Sequence, residues 1–212
     1  MKKQSVFLYV LRLSLTLLVI TSLMAAALAG VNAITKDRIA AITKEKTDKA
    51  IAEVLPDAEY VYDKTDVFKK SRVFEVPDMI TKIYMAYDGP ATSSIDSNGG
   101  VYTGEYAIEL VPSGFDGEIT MMVGIDAEGK VIAISIINHT ETAGLGAVAA
   151  ANSATGKAFR EQFAGMSGEL AVSKDGGEVD ALTGATITSR AITEGVNVAL
   201  EFVAQLREHG FT

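Results

Sequence analysis

Two glycine-containing turns hold the residues whose types and spacing suit chemistry. Residues 141–146 read Glu141-Thr142-Ala143-Gly144-Leu145-Gly146 and follow a strong strand pattern. Residues 180–188 read Asp180-Ala181-Leu182-Thr183-Gly184-Ala185-Thr186-Ile187-Thr188 and directly precede a helical pattern. A glycine turn that opens into a helix presents unpaired backbone N–H groups and the positive end of the helix dipole, which together make a seat for an anion, most naturally phosphate. Thr183, Thr186, Thr188 and Ser189 add hydroxyls there, so a phosphate is expected near residues 184–188. A plainer reading fits the same residues: a Thr or Ser hydroxyl caps the helix and binds nothing, and the glycines of the first turn supply only positive φ. Spacing alone leaves both readings open.

Other chemistries are excluded by composition. The 212 residues include no Cys and only two His, His139 and His209. There can be no disulfide framework, cysteine zinc site, iron–sulfur cluster or thiol nucleophile. Two histidines are too few for a multi-histidine catalytic metal site, and no metal is expected. With 19 basic against 27 acidic residues, the chain does not suit nucleic acid as its main partner. Residues 153–159 (SATGKAF) have a P-loop look, but the first glycine of that motif would fall at Ala151, and Ala158 replaces its hydroxyl. Residues 175–180 lack EF-hand spacing, and no GxSxG nucleophile turn occurs. His139 ends a strand beside the first turn, where it could touch a ligand, and reads more plainly as an exposed residue there; His209 reads as a dipole contact in a last helical turn. No set of acid, base and nucleophile makes a self-contained catalyst. An electron carrier with this composition would need an organic cofactor held without sulfur.

The elements that must position the two turns follow from periodicity. Residues 13–34 contain no charge, and 22 residues at about 1.5 Å each span a hydrocarbon core of roughly 30 Å. Lys2, Lys3 and Arg12 precede this run, and no acidic residue occurs before Asp37. Removing those three charges from the formal −8 leaves −11 for the rest. The positive-inside rule then places residues 1–12 in the cytoplasm and the acidic body outside. A cleaved signal peptide is the competing reading, given the small residues at 25–30, but the apolar run exceeds the usual h-region; a buried core helix is a third. Residues 35–56 read as a polar-faced stalk or packing helix ended by Pro56. Weak strand signals lie at 60–62 and 73–76. Residues 80–87, 101–110, 118–125 and 131–137 read as strands of an antiparallel meander, with a loop at 88–100 and a hairpin turn at 126–130. Residues 145–163 are alanine-rich and helix-permissive, residues 169–173 offer one short strand, and residues 187–209 form the clearest helix, with Gly210 as its stop signal. Strands first and helices later give an α+β domain over 57–212.

Taken together, the N-terminal apolar segment, the hairpin running into ETAGLG, the QFAG helix end and the DALTGATITSRAI segment resemble the G subunit of the Rnf electron-transport complex. The same flavin-binding domain occurs in the C subunit of the sodium-pumping NADH:quinone reductase. The resemblance covers residues 7–208 and is strongest over 118–200. The usual first turn of the family is ETPGLG; here Ala143 replaces the proline, which should loosen the turn slightly. The resemblance implies FMN attached through a phosphoester to Thr186, with Thr183, Gly184, Ala185, Ile187 and Thr188 around the phosphate. It also implies that Glu141, Thr142, Gly144, Leu145 and Gly146 approach the flavin, and that a flavin transferase recognises Asp180. The implied function is electron relay within an ion-translocating ferredoxin:NAD oxidoreductase, with other membrane redox proteins of the complex as partners. The sodium-pumping reductase or a stand-alone extracytoplasmic flavoprotein are alternatives that keep the flavin. A non-redox binding module, with the second turn a mere helix cap, is the remote one.

Overall fold

The computed structural model describes residues 2–71, 75–90 and 100–210, with side chains from residue 7 onward. Five strands form one antiparallel sheet whose spatial order equals chain order: β1 (Tyr60–Asp63), β2 (Ile80–Tyr87), β3 (Tyr102–Leu110), β4 (Ile119–Ile125) and β5 (Val131–His139). Antiparallel neighbours need only turns between them, so this meander is the simplest closure of the strand pattern. The helices are α1 (Lys2–Val54), α2 (Thr65–Lys70), α3 (Ala154–Glu161) and α4 (Thr186–Glu208). The fold is α+β, as the pattern predicts.

Side-chain alternation along the strands makes two cores. Met121, Val123 and Ile125 of β4 join Tyr106, Ile108 and Leu110 of β3 and the α4 residues Ile192, Val196 and Val203 in the larger core. The intervening residues Met122 and Ala107 turn to the other face, where they meet Ala50, Val54 and Leu55 at and just past the end of α1. A period of two sends successive strand side chains to opposite faces. Each large side chain fully buried here contributes about 1.5–3 kcal/mol. The sheet therefore holds α4 by its apolar stripe, and this fixes where the start of α4 lies.

Residues 1–46 and 47–212 form separate compact units. In the first, α1 exposes apolar side chains such as Leu17, Leu23 and Leu28. It is the one helix among the described residues long and apolar enough to cross a membrane.

The structure departs from the sequence expectation at four places among the described residues. The alanine-rich run at 145–163 is not one helix: a 3-10 turn (Gly146–Ala150) precedes α3. Ser153 caps α3 by accepting from the Gly156 N–H at 3.1 Å, and Arg160 donates to the carbonyls of Ala149 (2.5 Å) and Ala151 (3.2 Å). A side chain that captures backbone groups restarts the chain there instead of letting the helix run through. Residues 169–173 make only an isolated parallel bridge, Val172 to Val179, followed by a 3-10 turn at Ser173–Asp175. Nothing in the periodicity signals helix α2; it is short, and Phe68 is its one buried residue. Of the weak strand at 73–76, Glu75 and Val76 are not in a strand, and 73–74 lie outside the described residues. Most of the 88–100 loop, residues 91–99, also lies outside them.

Candidate functional site

A pocket of about 280 Å³ forms where three segments meet beside the start of α4. Phe115 comes from the turn before β4; Glu141, Thr142, Leu145 and Gly146 come from the turn after β5; Gly184, Ala185, Thr186, Ile187 and Thr188 come from the approach to α4 and its first turn.

Glu141 ties the three together. Its carboxylate is buried, at 7% exposure. Oε1 accepts from the backbone N–H groups of Phe115 (2.8 Å) and Asp116 (3.2 Å), and Oε2 accepts from the Thr188 hydroxyl (2.6 Å). A buried carboxylate is tolerable only with such donors around it. Gly146 is required by this packing, because a Cβ there would collide with Glu141 Oε2 and Thr188 Oγ. The glycine at 146 thus serves close approach within the protein.

The second turn is locked from beneath by Ser189. Its buried hydroxyl accepts from the Leu182 N–H (3.0 Å) and donates to the Ala185 carbonyl (3.0 Å). The Ala185 N–H closes the turn onto the Leu182 carbonyl at 3.0 Å. Gly184 sits between them at φ 75°, a left-handed conformation that glycine adopts without strain. The helix cap position is Ala185, which has no side-chain group to cap with. None of the threonine or serine hydroxyls performs that role. Among the described residues, none accepts a hydrogen bond from the N–H groups of Thr186, Ile187 or Thr188, so these donors stand open at the positive end of a 23-residue helix.

Thr186 is half-buried, and the Lys174 ammonium donates to its hydroxyl at 2.8 Å. Lys174 belongs to the 3-10 turn Ser173–Asp175, which Arg190 of α4 holds through two hydrogen bonds of 2.6 Å to the Asp175 carboxylate. Those bonds hold the Asp175 carboxyl below its ordinary value and raise Arg190 above its own. Around the mouth, Phe115, Leu145 and Ile187 are 66%, 45% and 50% exposed and give an apolar rim to a polar floor. Open N–H donors and an ammonium at one end, with apolar side chains at the other, suit a ligand that is anionic at one end and apolar at the other. Among the described residues there is no group of three or more potential metal ligands.

The pocket brings together nine of the twelve positions that the family resemblance implies. Thr183 and Gly144 do not line it. Asp180 also lies outside it, its backbone held by the Gln162 side chain, which accepts from the Asp180 N–H (2.7 Å) and donates to its carbonyl (3.1 Å). His139 ends β5, where it pairs with Ile119, but it is half-buried rather than exposed and does not line the pocket. His209 sits at the C-terminal cap of α4 with Nδ1 2.8 Å from the Gln205 carbonyl. Sequence reasoning misses Phe115 and Lys174. An apolar aromatic inside the polar turn SGFDG is the available signal for the first, whereas nothing in the spacing marks Lys174.

Residues 114–201, which contain the pocket, match the FMN-binding domain family. The chain is 35% identical over 207 residues to the G subunit of the Na(+)-translocating ferredoxin:NAD(+) oxidoreductase complex of Acetobacterium woodii, covering 93% of each. It is 30% identical to the G subunit of the ion-translocating oxidoreductase complex of Methanosarcina acetivorans, over 89% of this chain and 92% of that one. Among solved structures, the C subunit of the Na(+)-translocating NADH-quinone reductase of Parabacteroides distasonis shares the fold, with a TM-score of 0.50 and 18% identity over 77% of this chain and 94% of that one.

Proposed function

The chain belongs to the family of G subunits of ion-translocating oxidoreductase complexes, and from that premise we propose that it relays electrons through an FMN esterified to Thr186. The observation that carries the reading is the uncapped start of α4 with the Lys174 ammonium on the Thr186 hydroxyl. These donors fit the single negative charge of a phosphodiester, and the N–H groups of Ile187 and Thr188 would offset it. Thr186 would anchor the phosphate, Gly184 and Ala185 would let backbone approach it, and Phe115, Leu145 and Ile187 would pack against the ring. Glu141 and Thr188 would hold the walls in place, with Thr142 and Gly146 completing the floor.

FMN supplies the electron transfer; the protein's part is to hold it, orient it and set its surroundings. The exposed apolar rim leaves the site within reach of another redox protein. Electrons would enter from one partner in the membrane complex and leave to another, coupling ferredoxin oxidation and NAD reduction to ion movement. One apolar helix does not enclose an ion path, so that path would belong to other members of the complex. In this arrangement residues 13–34 cross the cytoplasmic membrane once, residues 1–12 stay inside, residues 35–56 form the stalk or packing helix, and the flavin domain faces outward. A flavin transferase would load the FMN from FAD, reading the exposed Asp180 and the segment through Thr186.

Co-expression with a flavin transferase, followed by denaturing electrophoresis, tests the attachment. The wild-type band should fluoresce and the Thr186→Ala band should be dark. A dark wild-type band, or a fluorescent Thr186→Ala band, would refute the assignment.

A further inference from the structure

We propose that Lys174 is the residue that prepares the Thr186 hydroxyl to receive the flavin phosphate and then pairs with the resulting phosphodiester. The inference rests on the assignment of Thr186 as the attachment site. Its own observations are geometric. The Lys174 Nζ lies 2.8 Å from Thr186 Oγ, from an element twelve residues earlier in the chain. An ammonium has donors and no acceptor, so the Thr186 oxygen receives this bond and keeps its own proton free for another acceptor. Lys174 is also held in place. Asp175, its neighbour, is clamped to Arg190 on the first turns of α4 by two 2.6 Å hydrogen bonds. The Ser173 N–H donates to the Val179 carbonyl at 2.7 Å, closing the same turn from its other side. A planar two-point guanidinium–carboxylate contact fixes orientation as well as distance. The turn that carries Lys174 is thereby registered against the helix that carries Thr186.

The chemistry of loading gives this contact a purpose. A flavin transferase would bring FAD as the phosphoryl donor. A bond forms from Thr186 Oγ to the phosphorus of the FMN half, the pyrophosphate bond to the AMP half breaks, AMP leaves, and the hydroxyl proton passes to a base on the transferase or to water. Negative charge develops on oxygens beside the attacked phosphorus, and a fixed ammonium there stabilises it more in the transition state than in the ground state. After transfer, one negative charge remains on the phosphodiester, and Lys174 with the N–H groups of Ile187 and Thr188 surrounds it. Among the described residues no ammonium donates to the hydroxyl of Thr183 or Thr188, and the Thr188 hydroxyl already donates to Glu141 at 2.6 Å. Lys174 therefore also selects among the threonines of this segment.

The test uses the full chain in detergent, purified without flavin and incubated with a flavin transferase and FAD, with intact mass followed over time. Lys174 is exposed, so its replacement leaves the core untouched. Lys174→Met should lower kcat for flavin transfer about tenfold, the rate equivalent of one charge-assisted hydrogen bond, while KM for FAD stays at the wild-type value. Lys174→Arg should recover most of the lost rate, because it restores the charge and the donor. A Lys174→Met chain loaded at the wild-type rate would overturn the role, and so would a slow Lys174→Met chain that Lys174→Arg does not rescue. Wild-type chain that gains no mass would instead overturn the Thr186 assignment itself, so the two failures are distinguishable.

Discussion

The turns at 141–146 and 180–186 line the same pocket and both depend on glycine, yet they are built in opposite electrostatic senses. The first is organised around a buried carboxylate whose oxygens already accept from Phe115, Asp116 and Thr188. The second ends in a helix start whose Thr186, Ile187 and Thr188 N–H groups find no acceptor among the described residues. The first turn is therefore saturated and serves as scaffold; the second is open and is where a ligand gains most. Gly146 and Gly184 show the same division. One is small because a carboxylate and a hydroxyl press against it; the other is glycine because its φ is 75°.

Substitutions can break this contrast from either side. The largest effect belongs to the open turn: Thr186→Ala should remove covalent flavin completely while leaving the apo fold intact, because the half-exposed Thr186 side chain carries no core packing. On the saturated side, Glu141→Ala strands two backbone N–H groups and a buried hydroxyl, and should cost about 3 kcal/mol of stability, read as a lower thermal midpoint of the apo chain. Glu141→Gln keeps an acceptor oxygen and should cost less. Were Glu141→Ala as stable as wild type, the first turn would not be the scaffold described. Gly146→Ala should follow, at about 1–3 kcal/mol from overpacking against Glu141 and Thr188, again measured by thermal unfolding.

Much of this contrast can be read from the chain, and the part that cannot has a common cause. The alternation of Met121, Met122, Val123 and the stripe of Ile192, Val196, Ala199 and Val203 on α4 encode the sheet and its helix through local period alone. The segment around Thr186 is legible for the same reason, since a glycine turn before a helical pattern is a local signal. What escapes depends on side-chain bonds that the fold brings about. Ser153 and Arg160 interrupt the alanine-rich run through bonds to backbone groups that periodicity does not see. Lys174 reaches Thr186 only because a 3-10 turn and the Asp175–Arg190 contact bring it there. Glu141 stands in a motif that marks it as near the ligand, but its bonds to turns 26 and 47 residues away are products of the fold.

The smallest expected effect concerns that Asp175–Arg190 contact, and it has a definite sign. The guanidinium depresses the Asp175 carboxyl below its unfolded value of 3.8. Any stability it contributes is thus present above that value and is lost as pH falls through the lowered folded pKa. The pair is exposed, so the contribution is small and screened by salt. Asp175→Asn should melt slightly below wild type at neutral pH, and the two should converge as pH falls through the lowered folded pKa of Asp175. A difference that persists undiminished into that acid range would mean that the contact acts through something other than its charge.

The most direct measurement is peptide mapping of the flavin-loaded chain by mass spectrometry with fragmentation. The fragment spanning residues 180–190 should gain the mass of FMN less one water, with the fragment series placing it on Thr186. Placement on Thr183, Thr188 or Ser189, or on any residue outside this segment, would contradict the assignment.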